Sequence, residues 1–283
     1  MPYQLIDTHL QVWNLDKHQY AWMQGDTSIL NQTYEMTEVA QTAHLSGVTG
    51  AILVQAANTS AETLFLLNQA RRRSGFIRGV VGWTDLTDPE KTGLFLETAR
   101  EEHPLLKGFR HLIHFEPDTN WLLQPTVIES LKLVAEHGYS FDVPAALPIH
   151  LDCVKELGQK VPKLRMVIDH LANPVYFGQG VELWEELMEL VAENPNVYAK
   201  ISGLGNGVGT SLWTHYDIHD LLLRTLNVFG AERTFCGSDW PTCLLTGAYD
   251  YTWQQYLTSL EALLDKDEEN LVFFQNATNF YKL

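Results

Sequence analysis

Two spacings of apolar residues alternate along the chain. Short apolar runs, many rich in β-branched residues, recur at Leu5-Ile6-Asp7, Gly50-Ala51-Ile52-Leu53-Val54-Gln55, Ile77-Arg78-Gly79-Val80-Val81-Gly82-Trp83 and Leu106-Lys107-Gly108-Phe109-Arg110-His111. The series continues at Ser140-Phe141-Asp142-Val143, Arg165-Met166-Val167-Ile168-Asp169-His170, Val197-Tyr198-Ala199-Lys200-Ile201 and Thr234-Phe235-Cys236-Gly237, which makes eight. Consecutive rather than alternating apolar positions suit strands covered on both faces, as in a parallel sheet. Between the runs, residues 37–45, 60–74, 89–102, 125–137, 150–160, 181–193, 216–229 and 252–264 repeat apolar positions at the helical period. Polar caps with early acidic residues mark helix starts at Asn58-Thr59-Ser60-Ala61-Glu62 and Thr87-Asp88-Pro89-Glu90.

Eight strands each followed by a helix predict an α/β fold, a (β/α)8 TIM barrel, as a single domain over residues 1–283. An open doubly wound sheet is the alternative, but the glycine-rich phosphate turn expected after its first strand is absent. Gly203-Leu204-Gly205-Asn206-Gly207-Val208-Gly209 occurs late and lacks a following Lys-Ser/Thr, so it reads as a flexible loop. The aromatic segment 14–34 is long enough to cover the barrel mouth after strand 1. No repeat or shift in composition marks a second domain.

Composition narrows the class. A hydrophobic fraction of 45% with 11% aromatics supplies a large core. A net charge of −16 argues against nucleic-acid and anionic-membrane partners, which reward a basic face. Cys153, Cys236 and Cys243 form no CxxC pattern and read as reduced thiols of a cytoplasmic protein. Neither a basic-then-apolar leader nor a long uncharged apolar run is evident, which disfavours secretion and membrane spanning. A homo-oligomer is compatible with all of this.

In such a barrel the chemistry lies at the C-terminal strand ends. Strand 1 offers His9 and Gln11, which face the same side; strand 4 offers Arg110 and His111, and strand 5 Asp142. Strand 6 offers Asp169 and His170, strand 7 Lys200 and Ser202, and strand 8 Asp239. Any one of these could be a satisfied core polar group. Six polar strand ends together point to a site, because buried polar groups are costly unless they pair or function. The set suits hydrolysis: Asp239 as a general base toward water, histidines to polarise a carbonyl, and Arg110 with Lys200 to hold a carboxylate or oxyanion. If His9, His170 and Asp239 converge, they could instead hold a divalent metal such as zinc.

These residues carry a family resemblance. Ile6-Asp7-Thr8-His9, Val80-Val81-Gly82-Trp83-Thr84-Asp85-Leu86, Gly108-Phe109-Arg110-His111-Leu112 and Ile168-Asp169-His170-Leu171-Ala172-Asn173-Pro174 occur in order. Lys200-Ile201-Ser202-Gly203-Leu204, Gly237-Ser238-Asp239-Trp240-Pro241 and Asn276-Ala277-Thr278-Asn279-Phe280-Tyr281 follow. Together they resemble the amidohydrolase superfamily, in its branch of sugar-lactone and pyrone-dicarboxylate lactonases. The resemblance implies a (β/α)8 barrel that opens a lactone. It implies Asp239 as the base, His170 and His9 around substrate or metal, and Arg110 and His111 in the substrate site.

One position departs from that pattern. Metal-binding relatives carry His-x-His at strand 1, whereas this chain has His9-Leu10-Gln11. An amide is a poor zinc ligand, so the expectation is catalysis without a metal, with Gln11 hydrogen-bonding substrate. Trp13 and other tryptophans (Trp22, Trp83, Trp121, Trp240) are candidates to stack on a sugar face, or to be core. A sugar-acid lactone is expected over a pyrone, which needs cations for two carboxylates. The rivals are a metal-dependent amidohydrolase or decarboxylase acting on a cyclic or aromatic acid, and an inactive barrel retained for binding.

Overall fold

Eight parallel strands follow one another around one sheet in chain order. They are β1 (Leu5–Leu10), β2 (Val48–Val54), β3 (Ile77–Gly82), β4 (Leu106–Arg110), β5 (Ser140–Val143), β6 (Arg165–Ile168), β7 (Val197–Ile201) and β8 (Thr234–Cys236). The structure is a computed structural model and describes residues 4–174, 180–209 and 213–283. The crossovers carry α1 (Met36–Leu45), α2 (Ser60–Arg72), α3 (Pro89–Glu102), α4 (Pro125–Glu136), α5 (Pro148–Lys160) and α6 (Val181–Ala192). After β7 come α7 (Leu204–Val208) and α8 (His215–Phe229); after β8 come α9 (Tyr249–Glu261), α10 (Lys266–Asn270) and α11 (Asn276–Tyr281). The expected helix starts are built as their residues suggest. The Thr59 hydroxyl accepts the Glu62 N–H, and Asp88 accepts the Lys91 N–H ahead of Pro89.

Two apolar layers result. The larger core lies between strands and helices, while Ile6, Ile52, Val54, Val81, Val167 and Phe235 form a separate cluster with Phe280 and Tyr281. The last helix, α11, therefore helps fill that second cluster, which the spacing of residues 252–264 alone did not foretell. Side chains alternate along a strand, which brings the polar Arg110, Asp142, Asp169 and Lys200 together.

The barrel closes through specific contacts rather than a full β1–β8 ladder. Leu10 bridges Trp240, the Gln11 N–H donates to the Trp240 carbonyl at 2.8 Å, and the Asp239 N–H donates to the His9 carbonyl at 2.9 Å. The buried Asp7 carboxylate accepts the His9 N–H at 3.0 Å, the Ser238 N–H at 2.9 Å and the Tyr249 hydroxyl at 2.9 Å. Gly237 permits this approach: a Cβ there would lie 2.6 Å from the His9 backbone nitrogen. One expectation changes. The glycine-rich stretch after β7 is not an open loop but the single-turn helix α7, bounded by Gly203 (φ 64°) and Gly209 (φ 75°).

Candidate active site

A cavity of about 270 Å³ opens at the C-terminal strand ends. Its polar floor is Gln11, Arg110, His170 and Asp239, and its apolar wall includes Trp22, Ala56, Leu112 and Phe115. Trp22 comes from the segment 14–34, whose indole N–H donates to the Ala56 carbonyl at 2.8 Å. Ala56 is held in turn by Glu62 of α2, whose carboxylate accepts the Ala56 and Ala57 N–H groups.

His170 enters the cavity on an unusual backbone. His170, Leu171, Ala172 and Asn173 have φ of 53°, 50°, 59° and 51°, a left-handed turn without a glycine. Each such residue costs roughly 1–2 kcal/mol, so the surroundings must hold the turn in place. They do so through the Asn173 N–H to the His170 carbonyl (2.9 Å), the Trp184 indole to the Leu171 carbonyl (2.7 Å) and the Asn173 amide to the Ala145 carbonyl (3.3 Å). Asp239 is also left-handed, at φ 60°. Backbone strain of this kind gathers at functional sites. Between these two residues sits Gly203, where a Cβ would lie 2.9 Å from both Asp239 Oδ2 and His170 Nδ1.

His9, His170 and Asp239 converge. One donor atom from each lies within 4.8 Å of the others, and His9 Nε2 is 3.8 Å from Asp239 Oδ1. His9 Nε2 is buried without a hydrogen-bond partner, and the His9 and His170 rings sit 4.6 Å apart. His170 Nδ1 shares a 2.8 Å hydrogen bond with the Ser202 hydroxyl. Burial holds the His9 imidazole well below its ordinary value and lowers that of His170 to about 3, so both rings are neutral near pH 7. Burial drives the Asp239 carboxyl the other way, up to about 8, against the opposing pull of Arg110.

Beneath this set lies a buried charge network. The Arg110 Nε faces Asp169 Oδ2 at 2.9 Å, and its Nη1 donates to the Gln55 carbonyl at 2.9 Å. The same carbonyl accepts the Gln11 side-chain amide at 3.2 Å, so Gln55 ties Gln11 to Arg110. Lys200 Nζ lies 2.8 Å from Asp169 and 2.6 Å from Asp142, which also accepts the Tyr281 hydroxyl at 2.6 Å. Burial alone would raise Asp169, but Lys200, His9 and Arg110 together hold its carboxyl well below the usual range.

The cavity thus receives Gln11, Arg110, His170 and Asp239 of the expected residues, with His9 directly below. Three others lie elsewhere. Lys200 is wholly buried between its two carboxylates and has no path to a substrate. Arg110 and His111 are adjacent and cannot share a face. His111 turns outward, stacks on Trp121 at 3.8 Å, accepts the Trp83 indole N–H at 3.0 Å and faces Glu116 at 2.7 Å. Trp13 packs edge-on against Trp22 and Tyr34 and supports the wall from behind. Missing from the sequence reading are the cavity residues His114, Asn173, Asn206 and Thr242, which follow strand ends. Burial lowers the His114 imidazole to about 4, with Arg110 adding to the effect.

Comparison with known proteins agrees with this architecture. A family model described as Amidohydrolase matches residues 6–283. The chain belongs to the amidohydrolase family. It is 30% identical over 288 residues to an L-fucono-1,5-lactonase of Burkholderia ambifaria, covering 98% of this chain and 95% of that protein. It is 26% identical over 204 residues to an L-rhamnono-gamma-lactonase of Scheffersomyces stipitis, covering 64% and 60%. Among solved structures, an amidohydrolase of Burkholderia multivorans with bound zinc superposes with a TM-score of 0.89 at 26% identity, covering 99% of each chain.

Proposed function

We propose that the protein hydrolyses the ring ester of a sugar-acid lactone. The observation that carries this reading is one buried carboxylate, Asp239, facing two neutral imidazoles and Arg110 in a cavity of about 270 Å³. That volume lies at the small end for ligand sites and suits a single sugar ring. The sugar-lactone names of the two relatives support the choice of substrate class.

In this reading, water attacks the lactone carbonyl carbon while Asp239 takes its proton. Arg110 spends Nε on Asp169 and Nη1 on Gln55, which leaves Nη2 to face the oxygen that gains charge. The tetrahedral intermediate collapses with cleavage of the bond to the ring oxygen, and Asp239 returns the proton to that oxygen. The open hydroxy acid then ionises and releases one proton. Gln11 orients a substrate hydroxyl, and Trp22 and Phe115 cover the less polar face of the ring.

The same three residues fit a divalent cation. Two imidazoles and a carboxylate with an open position form a donor set of catalytic zinc sites, and the unpartnered His9 Nε2 is a donor awaiting an acceptor. When bound, such an ion would polarise the carbonyl oxygen and acidify a water. The metal-free expectation rested on Gln11 at strand 1 and on Asp142, rather than a histidine, at the end of strand 5. Against it stands Asp239, held largely protonated near pH 7 by burial and in need of positive charge to act as a base. We therefore place one divalent cation at His9, His170 and Asp239. Elemental analysis should find about one equivalent of metal in the intact protein and none in His170→Ala. Full turnover after exhaustive chelation would return the site to metal-free chemistry. Substrate class is tested by a pH-indicator screen across sugar and pyrone lactones: proton release confined to pyrones, or absent throughout, would refute it.

A further inference from the structure

A second cavity, of about 310 Å³, lies at the opposite end of the barrel, where the strands begin. Arg100, Lys107, Gly138, Tyr139, Tyr281 and Lys282 line it. Positive charge collects there, with Glu97, Glu101 and Glu136 lining an adjoining cavity that shares Arg100 and Lys282. Arg100 Nη2 donates to the His137 carbonyl at 2.9 Å, Lys282 Nζ to the Gly138 carbonyl at 3.2 Å, and Lys107 Nζ to the Lys282 carbonyl at 3.1 Å. Arg165, beside them, donates to the Gly138 carbonyl at 2.9 Å. Among the described residues, none of the four makes an ion pair. In a chain of net charge −16, four unpaired cations in one corner require a reason.

Capping of the α4 C-terminus accounts for the contacts to His137 and Gly138, but two observations remain. The first is Tyr139: the residue is 5% exposed, lines the cavity, and has a buried hydroxyl without a partner. Buried hydroxyls are normally satisfied. The second is the convergence at Gly138, where a Cβ would lie 3.0 Å from Lys282 Nζ and 3.3 Å from Arg100 Nη2. Two cationic heads thus flank one open point on the cavity wall. Burial and the neighbouring arginines also hold the Lys107 and Lys282 ammonium groups below their ordinary values, a cost that an arriving anion would relieve.

We propose that this cavity binds a phosphate dianion, free or carried on a small ester. A guanidinium fork, two ammonium groups and a phenol hydroxyl supply donors for several oxygens. Glu97, Glu101 and Glu136 line an adjoining cavity and repel a long polyanion, which favours a compact ligand. The site is separate from the catalytic cavity, and its binding does not depend on the lactonase reading.

Calorimetric titration of the full chain at low salt, with inorganic phosphate and with glycerol 3-phosphate against matched chloride, tests the proposal. One phosphate should bind per chain, and the double variant Arg100→Gln/Lys282→Gln should bind about a hundredfold more weakly, from two lost charge-assisted hydrogen bonds. Tyr139→Phe should weaken binding about tenfold while raising the melting temperature of the ligand-free protein, since it removes an unsatisfied hydroxyl. Arg110→Gln should bind phosphate as the wild type does. Binding of phosphate alone would assign the site to the free ion, and binding of both probes to the shared group. Loss of binding in Arg110→Gln, unchanged affinity in both cavity variants, or no binding of either probe would overturn the proposal.

Discussion

Lys200→Met should destabilise the protein before it affects substrate. Lys200 is fully buried in the barrel interior, at 2.6 Å from Asp142 and 2.8 Å from Asp169, and its ammonium lies 5.8 Å from the Tyr281 ring centre. Methionine preserves most of the volume and removes the charge. Two fully buried carboxylates then face each other, with Arg110 left to neutralise Asp169 alone. Breaking a buried ion pair from one side costs about 3–5 kcal/mol. Burial already raises Asp142, and without Lys200 it would take up a proton near neutral pH, which limits the loss to the lower figure. The deficit should grow with pH as that proton is forced off. A loss of about 3 kcal/mol lowers the melting temperature by about 6–12 °C for a chain of this size class. Urea denaturation of both proteins measures it, and adding Asp142→Asn should recover part of the loss. A variant within about 0.5 kcal/mol of wild type but with a raised KM would refute the buried assignment and return Lys200 to the substrate.

Three further outcomes follow from the site geometry. Gly203→Ala should cost about 1–2 kcal/mol from φ alone and, by pushing Asp239 and His170 aside, slow turnover about tenfold to a hundredfold. Chemical denaturation and steady-state kinetics would show it; a silent variant would mean that the two groups need no fixed spacing. Arg110→Lys keeps the charge but cannot serve Asp169, Gln55 and substrate together, so kcat/KM should fall about a hundredfold, and equal kinetics would remove the fork from the mechanism. In chelated protein, Asp239 should hold its proton until about pH 8, seen as a carboxylic-acid infrared band that is absent in Asp239→Asn. Because this folded value lies above the unfolded one, the folded state binds the extra proton and stability declines as pH rises through that window. A carboxylate band at pH 5 in the wild-type minus Asp239→Asn difference spectrum would contradict the burial argument.

The strands were legible because a parallel sheet needs unbroken apolar runs, and all eight lie where the runs are. Strand-end chemistry was legible only to within one residue. Arg110 and His111 both read as site residues, yet the two-residue repeat of a strand admits one of them to the cavity. The burial of Lys200 was not legible, because its partner Asp142 is 58 positions distant and that burial is a property of the closed barrel. The left-handed turn at His170 carries no glycine and so left no trace in sequence. His114, Asn173 and Asn206 reach the cavity from βα connections, whose paths no periodicity describes.

The most direct test of the account is proton release on ring opening of L-fucono-1,5-lactone by the purified protein and by its Asp239→Asn variant. The wild type should hydrolyse it, and the variant, still folded, should lose at least about a hundredfold in kcat. Equal rates in the two proteins would contradict the assignment of Asp239 as the base.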